Sequence, residues 1–512
     1  MAQASPELDV RPGPLSRDLL AEFGPSAVLA LPIAPARPDD DGELQPRAGV
    51  ADAAAAYEVD LYDLAARSGS TGAAGEAVVV TLPTLTGAPT PWHALPGRIV
   101  FVGVGDESAV AMRRAGAAAA RIVAGTQALV TSLAADGVDD QVRPLVEGVL
   151  LASYRPPWTG TGTGPSASVN RVTLVGDADP DAVAQAQIAA GTTLLTRTLA
   201  ATPSNLKNPQ WLADQVRTLA RGTRSVKVTV RTEAWLAKQG LNGILAVGRG
   251  SATPPRLVTV DHNPAGATGD PVVLVGKGIS FDSGGISIKP RDAMIAMKTD
   301  MAGAAAVLGA VLGAARAELP IRVIGVLPLA ENAFSGDSYR PGDVLRMVDG
   351  TTVEIGNTDA EGRMVLADAM AWARREYEPR VLVDIATLTG AASLGLGKRH
   401  GALYATRDDL RDALVAAGDR AGERLWPMPL VEEYRHALDS AIADLSHIGT
   451  DPHTSGGSIT AALFLQHFAG QTPWAHLDIA GPARSAKAEH EISEGATGFG
   501  ARLLFRWLQT LS

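Results

Sequence analysis

The sequence contains no cysteine among its 512 residues. This absence excludes disulfide bonds, a thiolate nucleophile, a thiolate zinc site and an iron–sulfur cluster. Positive charge is also scarce, because 45 Lys and Arg residues face 55 Asp and Glu residues, for a formal net charge of −10. This acidic balance favours solubility and argues against binding to nucleic acid or to an anionic membrane surface.

Long apolar segments are missing as well. The first twenty residues, MAQASPELDVRPGPLSRDLL, have neither the basic region nor the apolar region of a secretory signal. No uninterrupted apolar run approaches the length of a membrane span. The most Ala-rich stretch, AVAMRRAGAAAARIVAG, contains three arginines, which is typical of a surface helix. The sequence therefore predicts a cytoplasmic protein without a membrane segment.

The length and composition predict two globular domains. Apolar residues make up 46% and charged residues 20%, an ordinary globular balance. A chain of 512 residues is too long for one hydrophobic core. The segment GDADPDA, residues 176–182, precedes a long predicted helix and is a plausible boundary. We therefore predict an N-terminal α/β domain over residues 1–180 and a C-terminal α/β domain over residues 181–512.

The first domain alternates β-branched runs with Ala-rich segments. Strands are predicted in PSAVLALPIA, GRIVFVGVG and NRVTLVGD. Helices are predicted from Ala109 to about Ala134 and in QVRPLVEGVLLAS. This alternation is typical of an α/β domain.

The second domain repeats one arrangement, in which a strand leads into a polar or glycine-rich cluster. Such alternation predicts a mainly parallel mixed sheet flanked by helices, with the clusters converging at the carboxyl ends of its strands. The predicted strands are PVVLVG, IRVIGVLP, VEIG, RVLVDIA and WAHLDIA.

Three familiar catalytic patterns fail in these clusters. A phosphate-binding Walker loop needs Gly at position 271, where this sequence has Pro271, and Ser or Thr at position 278, where it has Gly278. A nucleophile elbow around DSGG needs Gly at position 281, where this sequence has Phe281. The nine histidines form no H-E-x-x-H motif, and each, His476 included, is predicted to be a core or surface residue.

Carboxylate chemistry remains. Four carboxylates at one sheet edge need compensating charge, because like charges at short range raise one another's pKa. Cationic side chains would compensate in part, and two divalent metal ions bridged by carboxylates would do so fully and suit hydrolysis. The acidic candidates are Asp282, Asp300, Asp359 and Glu361, and the cationic candidates are Lys277, Lys289 and Arg363.

Each candidate also has an ordinary interpretation when taken alone. A D-x-E pattern after a strand is usually a solvated turn or a helix N-terminus. Asp300 alone would be an N-cap for the helix that follows it, and Lys289 would be a surface lysine. The site interpretation is favoured because the candidates occur together, all predicted on the loops that leave the strands of one sheet.

Together, VGKGISFDSGGISIKP, MKTDMAGAA and NTDAEGRM resemble the leucyl (cytosol) aminopeptidase family of dinuclear-metal exopeptidases. ATLTGA and WAHLDIAG resemble that family too, and the likeness covers the chain from about Ala182 to its C-terminus. The first domain corresponds by position only to the family's non-catalytic N-terminal domain. The resemblance implies a metal-dependent aminopeptidase that releases Leu and other large apolar N-terminal residues from short peptides. It also implies a homohexamer.

The resemblance implies a role for each candidate residue. Lys277 and Asp300 would bind one ion, Asp359 the other, and Asp282 and Glu361 would bridge the two ions, which would be Mn²⁺ or Zn²⁺. A hydroxide bridging the ions would attack the peptide. Lys289 would stabilise the oxyanion, and Arg363 would hold bicarbonate as the proton-relay base.

Further residues correspond to the family's pocket for the N-terminal side chain, namely Met297, Leu388 and Gly390. The loop GTDPHTSGGS, residues 449–458, is longer and more polar than is usual in the family and would alter the pocket rim. Rival interpretations are a DNA-binding or regulatory protein, which the net charge disfavours, a dinuclear phosphoesterase, and a metal-poor homologue.

Overall fold

A computed structural model of the chain describes residues 5–37, 43–83, 89–157 and 168–512. The chain divides into two compact units, Met1–Ala190 with Lys487–Glu494, and Gly191–Ala486 with Gly495–Ser512. One long helix, Pro180–Ala201, spans the division. The boundary predicted between residues 180 and 181 lies at the start of this helix and stays a prediction.

The first unit contains a mixed sheet built on buried β-branched runs. Its strands are β1 (Glu7–Arg11), β2 (Val28–Ala34), β3 (Gln45–Pro46), β4 (Ala77–Thr81), β5 (Arg98–Gly103), β6 (Ala128–Thr131) and β7 (Arg171–Val175). Among the described residues the order is β1-β7-β6-β2-β5-β4, with β3 paired to β2. Strand β2 pairs in parallel with β5 and β6, and β4 closes one edge antiparallel to β5.

The helices of this unit are α1 (Arg17–Phe23), α2 (Val50–Tyr57), α3 (Leu61–Arg67), α4 (Ala109–Ile122) and α5 (Asp139–Ala152). The helix predicted up to Ala134 is therefore wrong in its second half. Gly125, at φ +84°, follows the helix end in a left-handed conformation, and the apolar residues after it form β6.

Helix α4 is not the surface helix that its arginines predict. Its small residues pack tightly on α5, where a Cβ on Gly116 would lie 2.1 Å from the carbonyl oxygen of Leu145. Arg113 on this buried face pairs with Glu147, with 3.0 Å between Nη2 and Oε2. The buried arginine is accommodated because its charge has a buried partner.

The second unit contains the larger sheet. Its strands are β8 (Val226–Arg231), β9 (Arg256–His262), β10 (Val272–Gly276), β11 (Gly278–Asp282), β12 (Val323–Asn332), β13 (Val344–Arg346), β14 (Thr352–Glu354), β15 (Val381–Ala386), β16 (Gly401–Ala405), β17 (Leu425–Pro427), β18 (Leu445–Ser446), β19 (Trp474–Asp478), β20 (Arg484–Ser485) and β21 (Gly495–Ala496). Among the described residues the main sheet has the order β17-β16-β19-β15-β10-β12-β9-β8, with β11 paired to β12. Strands β19, β15, β10 and β12 are parallel, and β9 and β16 pair with them antiparallel. The predicted mixed, mainly parallel sheet is confirmed.

One predicted strand lies elsewhere. VEIG does not belong to the main sheet, because β14 pairs with β13 and β18 in a separate three-stranded sheet. Asp359 and Glu361 therefore follow a strand of a second sheet, and the prediction that all site residues leave one sheet is wrong. The two sheets nevertheless bring their strand ends to one place, as the side-chain contacts below show.

The helices after the division are α6 (Pro180–Ala201, which spans it), α7 (Pro209–Ala220), α8 (Glu233–Gln239), α9 (Asn242–Gly248), α10 (Arg291–Met294), α11 (Ala302–Arg316), α12 (Glu361–Tyr377), α13 (Gly390–Leu396), α14 (Asp408–Ala421), α15 (Gly457–Ala469) and α16 (Ala501–Gln509). Short 3₁₀ helices span Met297–Thr299, Thr358–Ala360 and Glu432–Leu438. The segment Arg291–Arg316 is apolar enough to cross a membrane, but 78% of its most apolar window is buried. Helix α11 is apolar on all sides, as a core helix is.

Candidate metal centre

Five of the predicted residues lie in or beside the connections between elements of the second unit. Lys277 stands between β10 and β11, and Asp282 is the last residue of β11. Asp300 directly follows the 3₁₀ helix Met297–Thr299, so it is not on a strand exit. Asp359 lies in the 3₁₀ helix Thr358–Ala360, and Glu361 begins α12, where the helix dipole favours a negative charge.

Three carboxylates form a compact cluster. Asp282, Asp359 and Glu361 each offer one oxygen, and these oxygens lie within 4.8 Å of one another. Lys277 extends the cluster to Asp300, because its Nζ lies 2.9 Å from Asp300 Oδ2 and 2.8 Å from Glu361 Oε1. The structure thus brings together the four carboxylates and the amine that the sequence predicts.

Lys289 is the second lysine in contact with this cluster. Its Nζ lies 2.8 Å from Asp282 Oδ2 and forms a second ion pair with Asp359. Its side chain is 14% exposed, more than that of Lys277 at 4%. In this structure the two ammonium groups therefore supply the positive charge that the carboxylates need.

Burial explains the electrostatics of the centre. It raises the pKa of Glu361 to about 8 and that of Asp300 to about 6, against the attraction of Lys277. It also raises the pKa of Asp359, although Lys289 opposes that shift. For Lys277 burial acts in the opposite direction, but Asp300 and Glu361 outweigh it and raise the pKa. Burial thus makes the charged form of these carboxylates costly unless a cation lies beside them.

The donor set fits divalent metal ions. Glu361 is 1% exposed, and its Oε2 is buried without a hydrogen-bond partner among the described residues. Carboxylate oxygens with one amine suit Zn²⁺ or Mn²⁺, provided that Lys277 loses its proton before it coordinates. Gly362 permits the approach of Lys277, because a Cβ there would lie 2.5 Å from Lys277 Cε.

Arg363 is a buried cation in an unusual setting. Its Nη1 donates a 2.6 Å hydrogen bond to the carbonyl oxygen of His447, and its Nε has no hydrogen-bond partner in the part of the chain that the structure describes. Among the described residues it forms no ion pair, although Glu361 and Asp478 are near enough to act on its charge. Burial lowers its pKa to about 10. A guanidinium without a counter-ion is suited to receive a small anion.

Two further residues orient the carboxylates and have no role predicted from the sequence. Asn332, at the end of β12, donates from Nδ2 to Asp282 Oδ1 at 2.8 Å and to the carbonyl oxygen of Thr358 at 3.0 Å. Thr387 donates from Oγ1 to Asp300 Oδ1 at 2.6 Å, and its carbonyl oxygen accepts from Lys277 Nζ at 3.0 Å. Asn332 and Thr387 each follow a predicted strand, and this position is the signal in the sequence that could have identified them as residues of the centre.

A tight turn joins the two segments of the centre. Thr358 Oγ1 donates to the carbonyl oxygen of Gly284 at 2.7 Å and accepts from the backbone N–H of Ser287 at 2.8 Å. Gly284 has φ +88°, and a Cβ there would lie 2.4 Å from the carbonyl oxygen of Ser287. Only glycine fits this turn without strain, so DSGG is structural support for the centre.

The predicted pocket residues lie on neighbouring segments. Met297 is half-buried in its 3₁₀ helix, Leu388 is half-buried, and Gly390 is exposed at the start of α13. Asp478 holds this segment, because its carboxylate accepts from the backbone N–H groups of Leu388 and Thr389 at 3.2 and 3.0 Å. That Met297, Leu388 and Gly390 form a pocket for the N-terminal side chain stays a prediction.

Comparison with protein families and known proteins agrees with this geometry. Residues 194–505 match the model described as "Cytosol aminopeptidase family, catalytic domain". Residues 31–156 match the model described as "Cytosol aminopeptidase family, N-terminal domain". Together the two matches cover most of the chain.

Individual relatives extend over nearly the whole length. A protein of Leifsonia xyli subsp. xyli, named "Probable cytosol aminopeptidase", is 42% identical over 492 residues, with 93% of this chain and 95% of that protein covered. A protein of the same name from Syntrophotalea carbinolica is 40% identical over 460 residues, with 84% and 88% covered. The solved structure described as "Bottromycin maturation enzyme BotP in complex with Mn" superimposes with a TM-score of 0.80 at 37% identity, covering 95% of this chain and 99% of that chain.

Proposed function

This chain belongs to the cytosol aminopeptidase family and is thus a metal-dependent aminopeptidase, and we propose that it releases Leu and other large apolar N-terminal residues from short peptides. The observation that carries the proposal is the convergence of Asp282, Asp359 and Glu361 beside Lys277. We further propose that it acts in the cytoplasm in peptide turnover, as a homohexamer.

Two divalent ions, Mn²⁺ or Zn²⁺, are the proposed cofactors. Lys277 and Asp300 would hold one ion, Asp359 the other, and Asp282 and Glu361 would contact both. The Mn in the similar BotP structure supports manganese as one occupant. When bound, such a pair polarises the scissile carbonyl and activates a water molecule.

Lys289 is proposed to stabilise the oxyanion that develops when the peptide carbonyl is attacked. Its Nζ already lies between Asp282 and Asp359, and its side chain is partly exposed, so a substrate oxygen can reach it. A positioned cation in a poorly solvated site stabilises developing negative charge without reorganisation.

Arg363 is proposed to bind bicarbonate, which would take the proton of the attacking water and deliver it to the leaving amine. The support is a buried guanidinium with one backbone hydrogen bond and no ion pair among the described residues. The planar guanidinium matches a carbonate ion in two parallel hydrogen bonds.

Specificity is proposed to reside in the segment of Met297, Leu388 and Gly390. An apolar lining favours Leu or Met as the released residue, with discrimination of about 1–3 kcal/mol per methylene. Nucleic-acid binding is not part of the proposal, because the net charge is −10.

The test uses the purified full-length protein, stripped of metal and assayed on leucine p-nitroanilide and its N-acetylated form. We expect Mn²⁺ or Zn²⁺ to restore release from the free-amine substrate only. Glu361→Gln should abolish this restoration, whereas Glu432→Gln, on an exposed side chain paired with Arg435, should not. Turnover of the acetylated substrate, or none of either with metal bound, would contradict the proposal.

A further inference from the structure

His447 is the one hydrogen-bond partner of Arg363 within the described part of the chain. The bond runs from Arg363 Nη1 to the His447 carbonyl oxygen at 2.6 Å. Because Arg363 Nε has no partner among the residues described, we infer that this backbone carbonyl fixes the direction of the guanidinium. The orientation of that carbonyl therefore matters for any anion that Arg363 binds.

The imidazole of His447 holds its own backbone in place. Its Nδ1 accepts from the N–H of Gly356 at 3.1 Å, and its Nε2 lies 2.8 Å from the carbonyl oxygen of Asn357. A backbone N–H can only donate and a carbonyl can only accept, so the proton of the ring is on Nε2. His447 N also donates to the carbonyl oxygen of Glu354 at 3.1 Å.

These contacts form a continuous connection from the small sheet to the centre. His447 directly follows β18, which pairs with β14 at Glu354 and Ser446. Gly356 and Asn357, which the ring contacts, immediately precede the segment of Asp359. The side chain is fully buried, and burial together with Arg363 lowers its pKa to about 3, so the ring is neutral. A neutral ring does not repel Arg363.

We propose that His447 is a positioning residue, which holds the Arg363 guanidinium in the orientation in which it binds bicarbonate. The inference rests on the proposed function, because it concerns the anion of that site. His447 acts through Arg363, because both ring nitrogens contact backbone groups and its carbonyl oxygen accepts from the guanidinium. His447 is a buried core residue, as the sequence predicts, and positioning Arg363 would be a task in addition to packing.

The test compares three variants of the manganese-loaded, full-length enzyme. His447→Phe keeps a planar ring and removes both ring hydrogen bonds. His447→Asn offers Oδ1 as a replacement acceptor for the Gly356 N–H and so keeps one of them. His93→Phe is the matched control, because His93 is exposed and belongs to the first unit, which contributes none of the candidate ligands.

Two quantities are measured, the bicarbonate concentration that gives half-maximal activation and the dissociation constant of bicarbonate by calorimetry. We expect both to rise about 10-fold in His447→Phe, because a misdirected guanidinium forfeits one hydrogen bond to the anion, which is worth about a factor of ten. The rise should be smaller in His447→Asn, which keeps one of the two ring contacts. At saturating bicarbonate the rate should recover, and the metal content and the control should match wild type. A variant that is partly misfolded would instead have a lower rate at every bicarbonate concentration.

Unchanged bicarbonate binding in both His447 variants, with metal content intact, would overturn the inference. If His447→Phe fails to fold, His447→Asn alone decides, by an intermediate increase or none. An active wild-type enzyme that neither binds nor responds to bicarbonate would overturn this inference but leave the aminopeptidase standing. A wild type that binds bicarbonate but cleaves no peptide would overturn the proposed function, and calorimetry would still test His447.

Discussion

Lys289 differs from Lys277 in its exposure, and the different tasks that we propose for the two lysines follow from that difference. Lys277 is enclosed between Asp300 and Glu361, where coordination can replace its proton, whereas Lys289 is partly exposed and can meet a substrate. We expect Lys289→Ala to keep both metal ions and to lower kcat by about 10²–10³, the usual loss when one oxyanion donor is removed. Metal analysis and steady-state kinetics check this.

Arg291→Ala is the matched control for that variant, because Arg291 lies two residues further on and its side chain is 91% exposed. Nearly full activity in Lys289→Ala would refute the oxyanion role. Loss of metal in the same variant would instead assign Lys289 to holding Asp282 and Asp359 in place.

The sequence predicts the residues of the centre that carry its charge but not those that orient them. Lys277, Asp282 and Glu361 belong to motifs whose spacing is visible along the chain. Asn332 and His447 act across 50 and 84 residues, through contacts with Asp282 and Arg363. The position of Asn332 after a predicted strand is a weak signal that many other residues share, and nothing local marks His447 for such a task.

At the scale of elements, the C-terminus of α6 is held by two lysines that also fix the segment of Asp300. Lys207 Nζ donates to the carbonyl oxygens of Leu199 and Ala200 at 3.0 Å, and to that of Lys298. Lys298 Nζ donates in turn to the carbonyl oxygen of Ala201 at 3.1 Å. Cations at a helix C-terminus satisfy carbonyls that have no intrahelical partner.

We expect Lys207→Met to destabilise the protein by about 1–3 kcal/mol, because buried carbonyls lose their donor. The metal affinity should also fall, since Lys298 lies two residues before Asp300. Thermal unfolding and a Mn²⁺ titration measure the two effects. Lys238→Met, at an exposed position in the last turn of α8, is the control and should change neither. Equal stability of the two variants would contradict the prediction.

Element prediction failed where a local signal was weak and tertiary context decided. Strand β6 has four residues, and the Ala-rich sequence before it predicts a continuous helix, so only its pairing with β2 and β7 identifies it. Likewise, VEIG reads as a strand, but nothing in its residues tells which sheet it joins. The sequence predicts β10, β12 and β15 because each contains several β-branched residues, whereas β19, WAHLD, is predicted as part of the longer, mostly apolar run WAHLDIA.

At the scale of the whole molecule, the division into two units separates the centre from a unit that contributes none of the candidate ligands. The first unit is itself not contiguous, because Lys487–Glu494 returns to it and Arg121 donates from Nε to the carbonyl oxygen of His490 at 2.8 Å. A return of this kind, across 369 residues, has no signal in the sequence. Composition predicts two domains, and it does not predict where the chain crosses between them.

Metal binding should therefore be visible in the second unit alone. An ion that binds only the folded state stabilises it by about 2.7 kcal/mol at 100 times its Kd, so openings that disrupt the site become about 100-fold rarer. In hydrogen exchange on the full-length protein, we expect Mn²⁺ to slow exchange in residues 277–300 and 356–363. Residues 98–103, the β5 strand of the first unit, serve as the internal control. Glu361→Gln should lose the effect, whereas protection spread equally over both units would mean that the ions act somewhere other than this centre.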